Sequence, residues 1–401
     1  MKVTVIVCML VVFGIIPAAF AQSYPELGVK VDVIAEDLKI PWSIDFAQDG
    51  RVFFTERVGT LNVIDDGKII ELLNLSVGGG EGGMLGVSLD PSFDENHYVY
   101  VYYTYNEFLG IKNKLVRYVE ANNVLSEDKV LLEGIPGAPY HDGGRIKFGP
   151  DGMLYVTTGD ATSPELAQDL NSVAGKILRI NSDGTIPDDN PFGSAVYSYG
   201  HRNPQGIAWD ESGNLVATEH GPSGWRGVAH DEINLITPGS NYGWPDVIGD
   251  ETKEGLTNPI LHSGDDTWAP SGSTFYYGDI PQWSGKYFLA ALKGEHLRAV
   301  EFDSEYNVVS EQELFSGEFG RLRDAVAGPD GLYILTSNQD GRGNPQLGDD
   351  KILRISFLYD MSNSPLWTSN ITMWHSEGLI SDQELVDALS YLDGRNIISK
   401  N

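Results

Sequence analysis

The sequence predicts an all-β fold, a six-bladed β-propeller with a short C-terminal helical appendage. Three observations lead there. Short strands with alternating apolar residues recur in pairs, each pair joined by a turn signal. The paired unit returns six times, at intervals of roughly 40 to 65 residues, the length of a four-stranded blade with loop insertions. Helical periodicity is confined to the end of the chain. A β-sandwich assembly is the competing architecture, but repeats of this length suit radial stacking better.

Residues 1–21 read as a signal peptide. Lys2 supplies the positive start, Val3 to Phe20 the apolar run, and Ala19-Phe20-Ala21 before Gln22 the small-x-small cleavage site. An uncleaved anchor is the alternative, although the apolar core is short for a spanning helix. The expected location is therefore secreted, periplasmic or on the cell exterior, with no stable membrane span after cleavage. The propeller is expected over residues 22–358. Its hairpins are residues 44–55 around Gln48-Asp49-Gly50, 86–103 around Pro91-Ser92-Phe93, 144–160 around Pro150-Asp151-Gly152, 206–219 around Ser212-Gly213, a looser copy at 271–290, and 325–336 around Pro329-Asp330-Gly331. Asp-Gly suits such turns because glycine accepts positive φ at little steric cost. Residues 31–35 and 351–357 are expected to share one blade and close the ring. Residues 359–401 form the helical tail. Ser381-Asp382-Gln383-Glu384 reads as a capping box, Leu385, Val386, Ala388, Leu389 and Leu392 share one helical face, and Gly394 marks the stop. Asn74-Leu75-Ser76 and Asn370-Ile371-Thr372 have the form of glycosylation sequons.

The 401 residues carry 27 basic and 57 acidic side chains, a formal charge of −30. Such a surface repels nucleic acid and anionic membranes, and no basic patch with interleaved aromatics interrupts it. The acidic residues also offer oxygen ligands to calcium. The one cysteine, Cys8, lies in the leader. The mature chain therefore excludes disulfides, cysteine nucleophiles, zinc-thiolate sites and iron–sulfur clusters. It holds together by burial, for which its length suffices.

Propellers carry function on the loops at one end of the channel, so polar residues at the strand ends are the candidates. His141 opens the Gly-rich run before the third hairpin. It is either a general base, with a pKa near neutrality, or a structural histidine. Gly200-His201-Arg202-Asn203-Pro204-Gln205-Gly206 precedes the fourth hairpin. It offers a planar guanidinium fork and an amide, or else a loop stapled by its own hydrogen bonds. Glu219-His220-Gly221-Pro222, Asp231-Glu232-Ile233-Asn234 and Asn241-Tyr242-Gly243-Trp244-Pro245 bring carboxylates and turn carbonyls for an oxygen-rich cation site. Lys293, Arg321 and Arg323 put three cations at one end of an acidic chain. They point to a bound anion, with surface ion pairs as the alternative.

In their order, His-x-Gly-Gly-Arg, Gly-His-Arg-Asn-Pro-Gln-Gly, Glu-His-Gly-Pro, Asp-Glu-Ile-Asn and Asn-Tyr-Gly-Trp-Pro resemble the glucose/sorbosone dehydrogenase family, soluble aldose sugar dehydrogenases that use pyrroloquinoline quinone (PQQ). The resemblance spans roughly residues 41–357. It implies exported, PQQ- and Ca2+-dependent oxidation of aldose sugars to lactones, with a small-molecule aldose as substrate and a soluble electron acceptor as partner. His141 matches the general base and Arg202 the residue that polarises the quinone carbonyl. Asn203, Thr267, Lys293, Arg321 and Arg323 match cofactor contacts. Gly221 and Pro222 match main-chain ligands of the calcium beside PQQ, and Glu232 and Tyr242 a separate structural calcium site. One position departs. PQQ enzymes of this family have Gln where this chain has Glu81, and a carboxylate there faces a tri-anionic cofactor; it is protonated, bound to a cation or turned aside. Two other readings stand beside this one: a calcium-dependent lactonase, and a non-catalytic sugar- or protein-binding propeller.

Overall fold

A computed structural model describes residues 21–108, 110–222 and 229–358, with residues 371, 374–375, 379–381 and 384–388 of the tail. The leader, Asn370, Leu389, Leu392 and Gly394 lie outside the described residues. Among those described, no helix is long and apolar enough to cross a membrane.

Six antiparallel sheets make a ring. Blade 1 comprises Pro41–Phe46, Val52–Glu56, Thr60–Asp65 and Lys68–Asn74. Blade 2 comprises Met84–Leu89, Tyr98–Glu107, Gly110–Ala121 and Val124–Pro136. Blade 3 has Ile146–Phe148, Leu154–Thr158, Lys176–Ile180 and Val196–Tyr199, and blade 4 has Pro204–Trp209, Leu215–Glu219, Glu232–Ile236 and the short Leu261–His262. Blade 5 has Pro270–Tyr276, Lys286–Ala291, His296–Phe302 and Val308–Leu314. Blade 6 takes Leu322–Gly328, Gly331–Thr336 and Ile352–Phe357 from the end of the propeller, and Val29–Ala35 and Gln22–Tyr24 from its start. Val29 pairs with Phe357 and Val33 with Leu353, so the expected closure of the ring is observed. The Pro91-Ser92-Phe93 turn is a short helix, Phe93–Asn96, ended by His97 in the left-handed region.

Alternation in each strand gives every blade two apolar faces, and neighbouring blades bury them against each other. One core cluster lies between each adjacent pair: Phe53, Val63, Val99 and Val116 between blades 1 and 2; Tyr100, Leu115, Val156 and Leu178 between blades 2 and 3; Tyr155, Ile177, Ile207 and Ala217 between blades 3 and 4. Val216, Ile233, Tyr287 and Leu289 join blades 4 and 5, Phe288, Leu297, Leu332 and Ile355 join blades 5 and 6, and Phe54, Ile64, Leu335 and Ile352 join blades 6 and 1. Each fully buried side chain of this size contributes roughly 1.5–3 kcal/mol of transfer free energy. Near the axis the strands converge, and bulk is excluded there. A Cβ on Gly206 would stand 2.4 Å from Ser271 O of the next blade.

In the tail, Ser381 and Glu384 form the expected capping box. Ser381 N donates to Glu384 Oε2 (2.8 Å), and Glu384 N donates to Ser381 Oγ (3.3 Å).

Candidate active site

Every blade starts at the channel and runs outward with antiparallel neighbours, so all six innermost strands point the same way. Segments that precede these strands, and those that join second to third strands, therefore gather at one end of the channel. The first group brings Glu81, His141, Arg202, Asn203, Thr267 and Arg321 to that end. The second brings Arg57, Asp160, His220, Gly221, Pro222, Lys293, Asp340 and Arg342.

His141 has positive φ (65°). Its main chain fits only because Gly159 lacks a side chain: a Cβ there would lie 1.9 Å from His141 O. Its Nδ1 lies 2.7 Å from Asp160 Oδ1. Asp160 is fully buried, and its other oxygen accepts from Trp244 Nε1 (2.8 Å). A carboxylate only accepts, so Nδ1 carries the proton and Nε2 is left as a base. The side chain of His141 is 18% exposed, open enough to meet a ligand.

Arg202 and Asn203 sit beside this pair. The Arg202 guanidinium stacks 5.4 Å from the Trp244 ring centroid and donates through Nη1 to His220 O (3.1 Å). Burial lowers its pKa, opposed by Asp160, Glu219, Glu81 and Asp231. Asn203 is fully buried; Oδ1 accepts from Gly143 N (3.0 Å), while Nδ2 has no partner among the described residues. The same holds for His220 Nε2 and Arg323 Nε.

Arg57, Glu81, Gln205, His220, Arg323 and Arg342 line one pocket at the axis. Arg323 donates to Gln205 Oε1 (2.9 Å) and lies 5.7 Å from the Trp42 centroid. Burial pushes its pKa down to about 9, and Arg57 and Arg321 add to the shift against Asp340. Arg321 is held by Asp340 Oδ2 (3.0 and 2.8 Å) and Leu292 O (3.1 Å). Lys293 is exposed at the rim. The three expected cations thus differ: Arg321 is an ion pair, Arg323 is buried without a carboxylate, and Lys293 faces solvent. Thr267 is half-buried at the same end. Unpaired buried polar atoms are costly, and a pocket lined by His220 and Arg323, each with such an atom, beside Arg57 and Arg342 fits a carboxylate-rich anion such as PQQ.

Of the three expected outcomes for Glu81, the structure shows the second: the carboxylate is bound to a cation, the Arg342 guanidinium. Oε1 accepts from Arg342 Nη1 (2.8 Å) and Oε2 from His141 N (3.2 Å). Burial pushes its pKa up, but His220 and Arg342 outweigh that and hold the carboxyl below its usual range.

A second, smaller cavity shares His220 with it and is lined by Arg202, Glu219, Gly221, Pro222, Glu232 and Tyr242. Glu219 and Glu232 face each other across paired strands. Glu219 is satisfied by His201 Nδ1 (2.8 Å) and Arg202 N. Glu232 has Asn234 Nδ2 at 3.2 Å, and burial plus Glu219 pushes its pKa up to about 8. Asp231 is held by main-chain donors: it accepts from Gly221 N, Trp268 N and Ala269 N at 2.7–2.9 Å. The Tyr242 hydroxyl is taken by Leu235 O (2.6 Å), which leaves its carbonyl. Among the described residues no three His, Cys, Asp or Glu converge on one metal position. The donor set is two carboxylates and main-chain carbonyls, an all-oxygen chemistry of the kind calcium takes.

Asp160, Arg57, Asp340 and Arg342 were not singled out by the sequence. All four lie between second and third strands, where no motif flags them; the signal available was a polar residue just past each second strand.

The Glucose / Sorbosone dehydrogenase family matches residues 38–354. The aldose sugar dehydrogenase YliI of Escherichia coli is 32% identical over 345 residues, 78% of this chain and 91% of that protein. Quinoprotein glucose dehydrogenase B of Acinetobacter calcoaceticus is 27% identical over 84% of this chain and 90% of its own length. The PQQ-bound aldose sugar dehydrogenase of Streptomyces coelicolor superposes with a TM-score of 0.73 at 36% identity, covering 85% of this chain and all of that one.

Proposed function

Since the chain belongs to the glucose/sorbosone dehydrogenase family, we propose that it is an exported PQQ- and calcium-dependent enzyme that oxidises aldose sugars to lactones and passes electrons to a soluble acceptor. One observation carries the reading: a carboxylate-oriented histidine base opens beside a pocket of arginines and unpartnered buried polar atoms.

His141 Nε2 takes the proton of the sugar's anomeric hydroxyl. Asp160 fixes the tautomer and stabilises the imidazolium that results. When bound, PQQ supplies the acceptor for the hydride that leaves the anomeric carbon. Arg323, Arg321, Lys293, Asn203 and Thr267 hold and orient it. Arg202, kept charged by four carboxylates around it, presents a positive charge where negative charge develops. Gly221 and Pro222 carbonyls would hold one calcium, and Glu232 with the Tyr242 carbonyl a second. Trp244, against both Asp160 and Arg202, keeps water from that side.

Purified protein is titrated with PQQ and calcium and assayed for dye reduction with a panel of aldoses. The expected result is a saturable absorbance change and sugar-dependent reduction, with reduction abolished in His141→Ala and PQQ affinity changed less than about threefold, since the histidine acts on the substrate. Calcium-dependent lactone hydrolysis without PQQ, or no binding and no turnover, would overturn it.

A further inference from the structure

Arg342 and Glu81 come from opposite sides of blade 1. Arg342 lies on the loop between Gly331–Thr336 and Ile352–Phe357 of blade 6, and Glu81 immediately precedes blade 2. They meet at 2.8 Å over the axial pocket. The remaining Glu81 oxygen receives the His141 N–H at 3.2 Å, at a residue with strained positive φ. The Arg342 guanidinium also stands 5.8 Å from the ring centroid of Tyr140, the residue before His141. Its own loop is anchored: Arg342 N donates to Asp340 Oδ1 (2.8 Å), while Asp340 Oδ2 holds Arg321. A continuous polar chain therefore runs Arg321–Asp340–Arg342–Glu81–His141 across the mouth of the channel.

We propose that Arg342 is the built-in counter-ion of Glu81, and that the pair is a positioning element: it lets the pocket accept an anionic cofactor despite a carboxylate in its wall, and it fixes the main chain of His141. The counter-ion half rests on the PQQ reading above; the positioning half does not. An unpaired carboxylate in that wall would repel a poly-anion held against it at short range. Paired with a guanidinium, it becomes a neutral acceptor able to hold one backbone N–H. Only Nη1 of Arg342 engages Glu81, so charge rather than fork geometry is what the position needs.

The test is a double-mutant cycle on the full chain: wild type, Glu81→Gln, Arg342→Ala and the double variant, with Arg342→Lys as the conservative rescue. PQQ binding is followed by tryptophan fluorescence at fixed calcium. Amide exchange of the His141 peptide is measured without cofactor. Arg342→Ala is expected to weaken PQQ binding roughly tenfold when Glu81 is present and less than about threefold when it is Gln, with Lys restoring affinity. Exchange at His141 should accelerate in Arg342→Ala and stay slow in Glu81→Gln, whose amide oxygen still accepts. Equal weakening in both backgrounds overturns the counter-ion role, because Arg342 would then act on the ligand directly. Unchanged exchange in Arg342→Ala overturns the positioning role. If wild type binds no PQQ, the cofactor reading and the counter-ion role fall together, and exchange alone decides the positioning role.

Discussion

In the proposed reaction, Asp160 is the residue on which the role of His141 turns. Its carboxylate meets His141 Nδ1, Thr162 N and Trp244 Nε1, so it is fixed on three sides. Asn at this position presents either an amide N–H or an oxygen to Nδ1, and the former moves the imidazole proton to Nε2, where it blocks the base. Asp160→Asn is expected to lower kcat by roughly a hundredfold or more with a nearly unchanged melting temperature, measured by steady-state dye reduction. Asp142, the next residue after His141, carries a different consequence. It is buried; Oδ1 accepts from Asn113 Nδ2 (3.1 Å) and Ala138 N (3.2 Å), and Oδ2 has no partner among the described residues. Burial raises its pKa from 3.8 to about 6 despite those donors. Between these values the folded state keeps a proton that the unfolded state has released, so this group's contribution to stability is full below the lower value and is lost as pH rises through about 6. Asp142→Asn keeps the acceptor and removes that loss. The variant should gain on the order of 1–3 kcal/mol relative to wild type at pH 7–8 and little at pH 4, as read from denaturant midpoints across that range.

The innermost strands do more than carry loops. Arg145, at the head of Ile146–Phe148, reaches across the channel to Asp324 of blade 6 (2.7 Å), Ser43 of blade 1 (3.1 Å) and Gln205 O of blade 4 (3.0 Å), and lies 4.2 Å from the Trp42 centroid. It is buried with its partner, so Arg145→Ala strips the buried Asp324 of its guanidinium and leaves it only Ala325 N (3.1 Å) and the nearby charge of Lys147. The expected cost is about 3–5 kcal/mol, visible as a lower urea midpoint; Asp324→Asn in the same chain should recover part of it. The first two strands of each blade were legible in the sequence because alternation and Asp-Gly turns survive where a strand is buried and its turn is tight. The outer strands were not. Val124–Pro136 is more than half exposed and its pairing to Gly110–Ala121 is broken by bulges, so no regular period announces it, although the Asn122-Asn123 turn before it, with both residues at positive φ, was a signal available. His141, Arg202 and Asn203 were readable because they stand in motifs ahead of innermost strands. Asp160 and Arg342 were not, because the loops after second strands vary in length and their partners lie 19 and 261 positions away.

At the scale of the molecule, the ring is one cooperative body, since each blade has a core shared with both neighbours. Its seam is the pairing of Val29–Ala35 with Ile352–Phe357, extended by Leu358 N to Gly28 O (2.9 Å) and by Arg354 to Asp32 (3.0 Å). Removing residues 22–35 strips the last blade to three strands and bares a sheet edge. Such a chain should lose its single sharp melting transition and elute as aggregates in size-exclusion chromatography. Because Leu358 already bonds to Gly28, moving residues 28–38 to follow residue 358 creates a hairpin, and this permuted chain should melt cooperatively again. The sequence hinted at this seam from two isolated strands at its ends; what it lacked was any local mark of pairing between segments some 320 positions apart.

The seam also sets a timetable. Made from its N-terminus, the chain produces Val29–Ala35 near the beginning and its partner Ile352–Phe357 only after all the intervening blades exist. Val29–Ala35 has Gln22–Tyr24 on one edge from the start, but its other edge waits open until synthesis is nearly over. The sheet that locks the ring is the last to be completed, and the loops of blades 3 and 4 that carry His141 and Arg202 acquire their full frame only when that latch engages.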